Sequence, residues 1–600
     1  MRLIICTTII LLSGSVSAFA DDSADFNWDA WRYLPVQDGG RYKPFDTLAW
    51  ETARLLGNRT AVADPESSDK LNSVALYLTM LFQWEGQSNP SPHMPPTLDY
   101  FQSHQPDKWD EAQLLRIDFL ELRKALGLPE DQKYISPLKL SKSAFHDAQT
   151  GQDIPLLQKA QQLIGRRQQQ TSVLDQKLMQ LVDAYWTYED IRMGKNLHLI
   201  PVKGSEHELW ISVEQFLQTK FDDSNDPDGL LRKTQEQFST VREAFRDKDP
   251  KQFNAASATL LVTLRELGSQ QGTYPSQTFI SLEVTYNRWV PFRIAWIFTS
   301  LAFILSLFGI GSGLRIFNRL ALVSCVAGLL AIVTGFAMRI AISGFAPVTN
   351  MFESVVYLGL GTTVFGLIFE CFYRKGYILT AAMAVATVAL ILADNCPAVL
   401  DPAIRPLQPV LRNNFWLIVH VMTITLSYAA FALALGIGNI TLAYYLVRSN
   451  NSEAITALSN FTYRVLQVGV LLLAIGTILG AVWAEYSWGR FWGWDPKEVW
   501  ALIALLGYLA MLHARFAGWI GSLGLAASSV VCLTLVLMAW YGVNYLLGAG
   551  LHSYGFGGGG QQYVFTALAI QFLYVAAALL RASLNTDSNL LAPDAELASR

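Results

Sequence analysis

Histidine and cysteine are both scarce in this sequence. Among 600 residues there are eight histidines and five cysteines. No cysteine lies between residues 21 and 290, which excludes a disulfide framework there. The absence of a CxxCH motif excludes a c-type cytochrome. The net charge of −4 comes without a basic patch, so we expect no nucleic acid among the partners.

Long apolar runs fill the second half of the chain. A helix needs about 20 apolar residues to cross the roughly 30 Å hydrocarbon core of a membrane. The sequence therefore predicts an all-α polytopic membrane protein with about nine transmembrane helices within residues 291–581. The candidate spans lie near residues 292–312, 319–341, 353–372, 377–394, 415–447, 463–484, 498–514, 521–547 and 563–581.

The first part of the chain has a different character. Residues 1–20 combine Arg2, a short apolar run and the ending AFA, which is typical of a secretory signal peptide. The alternative is an uncleaved signal anchor. Residues 21–290 are predicted to form a mostly α-helical domain outside the cytoplasm. Within it the sequence predicts helices over 110–127 and 171–191, a short strand over 196–202 and a turn-rich loop over 221–229.

The orientation of the spans follows from the exported N-terminal domain. Nine spans that begin outside leave residues 582–600 as a cytoplasmic tail. The inner flanks then carry more Lys and Arg than the outer flanks, as the positive-inside rule requires. The outward-facing segments are residues 344–353, 395–414, 488–500 and 548–560.

Two histidines of the membrane half share the outer level. His420 lies near the outer end of the fifth span, and His552 lies in the loop between the last two spans. Segment 488–500, WGRFWGWDPKEVW, is at the same level and contains more tryptophan than an aromatic belt explains. A tryptophan shelf between two imidazoles suits a flat macrocycle with a central metal, so we predict a haem site with two histidine ligands. The alternatives are ordinary interfacial histidines and an aromatic belt. The tryptophans at issue are Trp488, Trp492 and Trp494.

Asp495 has a further interpretation as a helix start. Asp495, Pro496 and Glu498 occupy the N-cap, N1 and N3 positions of a capping box that begins the seventh span. The pair Asn350 and Glu353 predicts a second box at the third span. The sequence offers no nucleophile–base pair, so no catalytic residue is predicted. Three outward cations suit haem propionates and lipid headgroups equally well: Arg412, Arg490 and Lys497.

His513 lies at the other side of the membrane. It is eighteen residues beyond Asp495, which corresponds to roughly 27 Å along a helix. It therefore cannot share a metal with the outer pair. A second haem site at His513 needs a ligand from another chain, because the membrane half has no further histidine. The alternative is a water-exposed residue beside Arg515.

Several ordered motifs resemble one family. WGRFWGWDPKEVWALI resembles the WWD signature of the haem-handling membrane proteins of cytochrome c biogenesis. PVTNMFES, LQPVLRNNFWLIVHV, YLAMLHARFAGWIG and VNYLLGAGLHSYGF add the pattern of the CcsA/ResC type, System II. One departure is LRNNFW, where the family has LxSxWL. Residues 33–57 and 282–296 resemble, more weakly, members with an extended exported N-terminal domain.

The resemblance implies transport of haem b to the outer face of the bacterial inner membrane and its covalent attachment to apocytochrome c. It makes His420 and His552 the external haem ligands beside the WWD segment. His513 becomes a ligand of an inner site, whose second ligand belongs to a CcsB/ResB-type partner. Thiol-reducing proteins keep the CxxCH cysteines reduced, and the N-terminal domain is periplasmic. The chain is then the haem-handling subunit of a holocytochrome c synthase, a haem lyase.

Three other functions remain open from the sequence alone. A haem b electron carrier would hold haem between histidines deep in paired helices. A System I haem-handling protein would pass haem to a chaperone, and the extended exported domain and the GLHSY segment argue against it. A plain transporter or scaffold would use the tryptophans as an aromatic belt.

Overall fold

Helices carry nearly all of the regular structure of the protein. The computed structural model describes residues 25–67, 69–83, 106–147, 151–164, 172–202, 208–271, 274–397, 399–407, 415–447, 452–547, 550 and 560–584. The chain divides into two compact units, Met1–Asn287 and Arg288–Arg600. The predicted signal peptide, residues 1–20, and nearly all of the predicted tail lie outside the described residues.

The N-terminal unit is built from short helices around one hydrophobic core. Large aromatic side chains such as Trp31, Phe45, Phe82 and Trp109 are fully buried in it. Its helices are Phe45–Gly57, Ser73–Gln83, Lys108–Glu111, Leu120–Ala125, Pro137–Ser141, Leu156–Ile164, Val173–Met193, Val213–Gln218, Leu230–Arg246 and Pro250–Gln271, preceded by a 3₁₀ turn at Trp28–Tyr33. The helix Gln277–Trp289 ends this part of the chain.

Besides its helices, the described part of this unit contains five two-stranded antiparallel sheets. Each is a small local pair with strands of two to four residues. They are β1 (Pro35–Asp38) with β2 (Arg41–Pro44), β3 (Ala61–Ala63) with β4 (Lys70–Asn72), β5 (Leu115–Arg116) with β6 (Tyr134–Ile135), β7 (Ala144–Asp147) with β8 (Gln152–Pro155), and β9 (His198–Ile200) with β10 (Ile211–Ser212).

Three of the four local predictions for this unit are confirmed. The second predicted helix appears as Val173–Met193, the strand as β9, and residues 221–229 as turns and loop. The helix predicted over 110–127 is wrong. β5 interrupts it by pairing with β6, and a helix resumes only at Leu120. A helical spacing of apolar residues cannot reveal such an interruption, because a strand of two residues is too short to change the pattern.

The C-terminal unit contains nine helices that are long and apolar enough to cross a membrane, counted over the described residues. This confirms the prediction of a mostly helical polytopic protein. They are α1 (Pro291–Ser312), α2 (Arg315–Ser343), α3 (Met351–Tyr373), α4 (Tyr377–Asn395), α5 (Phe415–Val447), α6 (Ser452–Trp488), α7 (Pro496–Phe516), α8 (Ser522–Leu537) and α9 (Gln561–Leu584). A π-helix, Met538–Leu547, continues α8 directly, and the two together form the eighth span, Ser522–Leu547.

Helix α5 is central to this unit because it packs against α3, α4, α6, α8 and α9. Small residues let the helices approach closely, as is usual in membrane proteins. An added Cβ at Gly361 of α3 would lie 2.7 Å from Ala429 Cβ of α5. Phe431 of α5 and Tyr508 of α7 stack with ring centroids 3.7 Å apart. The first third of α5 carries the candidate site.

Candidate functional site

His420 lies on α5, and its ring is fixed by α6. Its Nδ1 donates a hydrogen bond to the Gly476 carbonyl oxygen at 2.7 Å. A carbonyl oxygen only accepts, so in the neutral ring Nδ1 carries the proton and Nε2 carries the lone pair. A backbone carbonyl that holds one ring nitrogen in this way is the usual support of a metal-ligating histidine.

Two glycines of α6 let α5 approach closely near this ring. An added Cβ at Gly480 would lie 2.6 Å from Cε1 and 2.9 Å from Nδ1 of His420. An added Cβ at Gly476 would lie 3.1 Å from the backbone of Ile424, one turn further along α5. The close approach of α5 and α6 therefore depends on both glycines. Neither was predicted as part of the site, although their i, i+4 spacing on one helix face was a visible signal.

A cavity of about 330 Å³ opens beside His420. This volume is at the lower end of the roughly 300–1,000 Å³ that small-molecule sites occupy. Its walls come from the loop between α2 and α3, from α5, from the end of α6 with the start of α7, and from the π-helix. The lining residues that matter below are His420, Trp483, Trp492, Lys497, Trp540 and Asn544.

The predicted tryptophans have different surroundings. Trp492 lines the cavity, together with the buried Trp483 from the end of α6. Trp488 packs edge-on against Trp483, with ring centroids 4.7 Å apart. Trp494 is 70% exposed, and its centroid lies 6.0 Å from that of Trp492. Trp492 is thus the predicted tryptophan that lines the cavity among the described residues.

The segment between α6 and α7 starts α7 with the predicted capping box. The Asp495 carboxylate accepts a hydrogen bond from the Lys497 N–H at 3.1 Å. The Glu498 carboxylate accepts from the Asp495 N–H at 3.1 Å and from the Gly493 N–H at 2.8 Å. Asp495 is buried. The N-cap role of Asp495 is thus confirmed, while its predicted role at a cofactor stays a prediction.

The three cations that were predicted to face outward differ in what they contact. The Arg490 guanidinium lies 3.1 Å from the Glu498 carboxylate and 5.6 Å from the Trp488 ring centroid. Arg490 is therefore held within its own segment. Lys497 lines the cavity. Arg412 lies outside the described residues.

A buried ion pair supports the loop between α2 and α3. Arg339 of α2 donates from Nε to the Glu353 carboxylate of α3 at 2.6 Å. The Thr349 N–H and hydroxyl both donate to the other Glu353 oxygen at 2.7 Å. Asn350 is the N-cap of α3, as predicted, but Glu353 bonds Thr349 instead of closing a box on Asn350. Val348, which lines the cavity, has φ of 73°, which is strained for a β-branched residue and common at functional sites.

The π-helix gives the cavity a polar side. Trp540 Nε1 donates to the Ser354 hydroxyl at 3.1 Å. Asn544 Nδ2 donates to the Trp540 carbonyl at 2.9 Å, while its Oδ1 is buried with no partner among the described residues. A buried acceptor without a partner costs free energy. A water molecule or a ligand group in the cavity would satisfy it.

His552 lies outside the described residues, so its pairing with His420 stays a prediction. Gly550, two residues earlier, has φ of 109° and packs against Asp495. An added Cβ at Gly550 would collide with the Asp495 carboxylate. The chain therefore returns to the start of α7 just before His552.

His513 lies near the opposite end of α7 from Asp495. Its Nδ1 donates to the Leu509 carbonyl oxygen of the preceding turn at 2.7 Å, which again leaves the lone pair on Nε2. The side chain is exposed. No cluster of three or more His, Cys, Asp or Glu side chains that could hold a metal occurs among the described residues. Among the described residues, those that line the cavity beside His420 do not include His513. A second haem site at His513 stays a prediction.

These features define a multi-pass membrane protein with an imidazole-bearing cavity near one end of its helices. The family model described as Cytochrome C assembly protein matches residues 348–552. CcsA of Prochlorococcus marinus (strain MIT 9303) is 35% identical over 248 residues, which cover 36% of this chain and 77% of that protein. The chain belongs to the CcsA family of cytochrome c biogenesis proteins, so the resemblance to CcsA-type proteins is confirmed. The assignment to System II and the resemblance of the N-terminal domain stay predictions.

Two further relatives differ in how much of their length is matched. CcsA of Synechococcus sp. (strain RCC307) is 36% identical over 273 residues, covering 40% of this chain and 85% of that protein. Protein NrfI of Wolinella succinogenes is 36% identical over 229 residues, covering 37% of this chain and only 24% of NrfI. The chain thus spans about a quarter of NrfI.

One solved structure is similar at a low level. Cytochrome c Heme Lyase CcmF covers 49% of this chain and 50% of its own, with a TM-score of 0.35 and 18% sequence identity. A similarity this low does not indicate a shared function.

Proposed function

We propose that this chain binds haem b in the cavity beside His420 and presents it for covalent attachment to apocytochrome c. The observation that carries the proposal is the imidazole of His420. It is fixed by the Gly476 carbonyl in the tautomer that can ligate iron, and it faces a cavity with aromatic walls. His552 supplies the second axial ligand, from the segment that follows Gly550.

The residues of the cavity fit a tetrapyrrole. Trp483 and Trp492 offer aromatic faces for contact with a flat ring, and His420 offers one ligand nitrogen. The unpartnered Oδ1 of Asn544 adds one polar group that a bound molecule can satisfy. Aromatic and apolar walls with a few polar groups are what small-molecule sites use for orientation.

The chain contributes positioning to the reaction. Each thioether forms when a cysteine thiol adds across a vinyl group: sulfur bonds to one vinyl carbon, and hydrogen goes to the other. This addition consumes no oxidant or reductant, but the thiols must be reduced beforehand, and thiol-reducing proteins do this. His420 and His552 hold the iron until the histidine of CxxCH replaces one of them. Such orientation of two reactants is a large part of catalysis when no nucleophile or base is needed.

The proposal extends to the second site and to a partner. His513 binds haem near the cytoplasmic side, where a CcsB/ResB-type subunit provides the other ligand, in a System II assembly. The chain lies in the bacterial inner membrane, with residues 21–290 in the periplasm. The exposed imidazole and its Nε2 lone pair support this role of His513. We assign the second ligand to the partner because the membrane half of the sequence holds only two other histidines, His420 and His552, and both belong to the other proposed site.

The test is co-expression of the full chain with a CcsB-type subunit and a CxxCH reporter, scored for covalent haem. His420→Ala is expected to abolish the covalent signal because the iron loses its fixed ligand. His146→Ala is the matched control, since this exposed histidine lies in the N-terminal unit, where it pairs with Asp153. Normal maturation with His420→Ala would contradict the proposal.

The inner site has its own measurement. His513→Ala is expected to lower the total haem that co-purifies with the complex, because one of two sites loses a ligand. Haem content is measured as pyridine haemochrome per mole of protein. An unchanged ratio would remove the inner site from the proposal and leave the outer site standing.

A further inference from the structure

Lys497 is the cation of the outer cavity. It lies in the first turn of α7 and lines the same cavity as His420. In the described part of the chain its ammonium makes no ion pair within 4.0 Å and no hydrogen bond. The side chain is only partly exposed. A partly buried ammonium without a counter-ion costs free energy, so the site as described lacks an anion.

The nearby carboxylates are already committed to other partners. Asp495 caps the helix by accepting the Lys497 backbone N–H, and Gly550 packs against it. Glu498 accepts two backbone N–H groups and pairs with Arg490. Neither acid therefore neutralises the Lys497 ammonium by direct contact. An anionic group of a molecule that enters the cavity would therefore be a counter-ion for this ammonium.

We propose that Lys497 binds a carboxylate of the tetrapyrrole and so fixes how the ring is rotated about its iron. The inference rests on the proposed function, because it requires haem at His420. An axial histidine fixes the position of the iron but leaves the ring able to turn. A second attachment at one edge removes that freedom. The two propionates of haem lie together on one side of the macrocycle, so holding them at Lys497 turns the vinyl-bearing side away from α7.

Arg490 and Lys497 are thereby assigned different roles. Arg490 is bound to Glu498 and covers Trp488, so it stabilises the segment. Lys497 has no such partner among the described residues and faces the cavity. A lipid phosphate is the competing anion for an outer lysine, and the experiment must separate it from a haem carboxylate.

The experiment compares haemin with haemin dimethyl ester, whose carboxylates are neutral. The purified full chain in detergent is titrated with each, and binding is followed by the Soret band. Unmodified protein is expected to bind haemin roughly tenfold to a hundredfold more tightly than the ester, the range for a hydrogen bond to a charged group. Lys497→Met is expected to lose this preference, and Lys497→Arg to keep most of it.

Arg405→Met is the matched control, because Arg405 is an exposed outer cation paired with Asp401 at 2.7 Å. It should keep the preference for haemin. Equal affinity for haemin and ester in the unmodified protein would overturn the inference, even if Lys497→Met fails to fold. Equal weakening of both ligands by Lys497→Met would also overturn it and would favour a lipid phosphate as the anion. If haemin binding does not depend on His420, the proposed function and this inference both fail.

Discussion

A single added methyl group at Gly480 should disable the outer site without unfolding the protein. In Gly480→Ala the new Cβ would lie 2.6 Å from Cε1 of His420. Carbon atoms in contact prefer roughly 3.5–4.0 Å, so the ring must retreat by about 1 Å. The ring is held against α6 by the 2.7 Å hydrogen bond to the Gly476 carbonyl oxygen, and a displacement of this size breaks that bond.

The cost to stability is expected to be small. Overpacking in a close helix contact costs about 1–3 kcal/mol, and the lost hydrogen bond about 1 kcal/mol. Alanine regains about 1 kcal/mol over glycine within a helix. The net destabilisation is therefore about 1–3 kcal/mol. The loss of haem attachment should be larger. A ligand displaced by about 1 Å is no longer aligned, and such a displacement can lower the rate of a reaction that depends on positioning about a hundredfold.

The assay is covalent haem on a CxxCH reporter, with the melting temperature of the purified chain measured in parallel. Gly469→Ala is the matched control on the same helix. Its added Cβ would lie 2.6 Å from the Phe431 ring, so the steric conflict is equal but no histidine is involved. Gly469→Ala should cost similar stability and leave haem attachment intact. Equal haem attachment in the two variants would refute the reasoning.

Two further predictions concern other parts of the molecule. Arg339→Met or Glu353→Gln should destabilise the chain by about 3–5 kcal/mol, because each leaves a buried charged or polar partner uncompensated. The double variant Arg339→Met/Glu353→Met should lower the melting temperature by less than the sum of the two single changes. Strictly additive losses would argue against coupling between the two residues. Burial lowers the pKa of His198 below its usual 6.5, with Asp38 opposing the shift. The folded state then binds this proton less readily than the unfolded state, so stability of the full chain falls as pH drops below about 6.5. His198→Leu should flatten that dependence in urea unfolding followed by tryptophan fluorescence, and an unchanged slope would contradict the assignment.

The membrane spans were predictable because hydropathy alone decides them. The predicted spans 415–447 and 377–394 match α5 and α4 almost residue for residue. The predicted span 463–484 is too short, since α6 runs from Ser452 to Trp488. Glu453 and Arg464 reduce the hydropathy of its first turns, but a helix can continue beyond the apolar stretch. Hydropathy also says nothing about the π-helix after α8, where the hydrogen-bond spacing changes and the composition does not.

The N-terminal unit shows where local patterns stop being informative. β5 and β6 have two residues each, too few for any period to be seen. The two segments that weakly resemble family members, 33–57 and 282–296, are more informative about the structure of this unit. Arg41 from the first makes a bidentate pair with Glu283 from the second, at 2.8 and 2.7 Å, and Thr47 donates to the same carboxylate at 2.8 Å. The two segments, far apart in the sequence, thus meet in one contact around the buried Glu283.

The outer site depends on pairs of residues that no local pattern connects. His420 and the tryptophan segment stand out because histidine is rare and tryptophan is dense. The i, i+4 spacing of Gly476 and Gly480 is visible in the sequence but does not mark a ligand site, because glycine in a membrane helix ordinarily serves packing. The hydrogen bond between His420 and Gly476 joins residues 56 apart in the chain, and only the fold reveals it. A residue's chemistry can be predicted from its type, whereas its protonation tautomer, and hence its ability to ligate iron, is decided by the neighbour that the fold supplies.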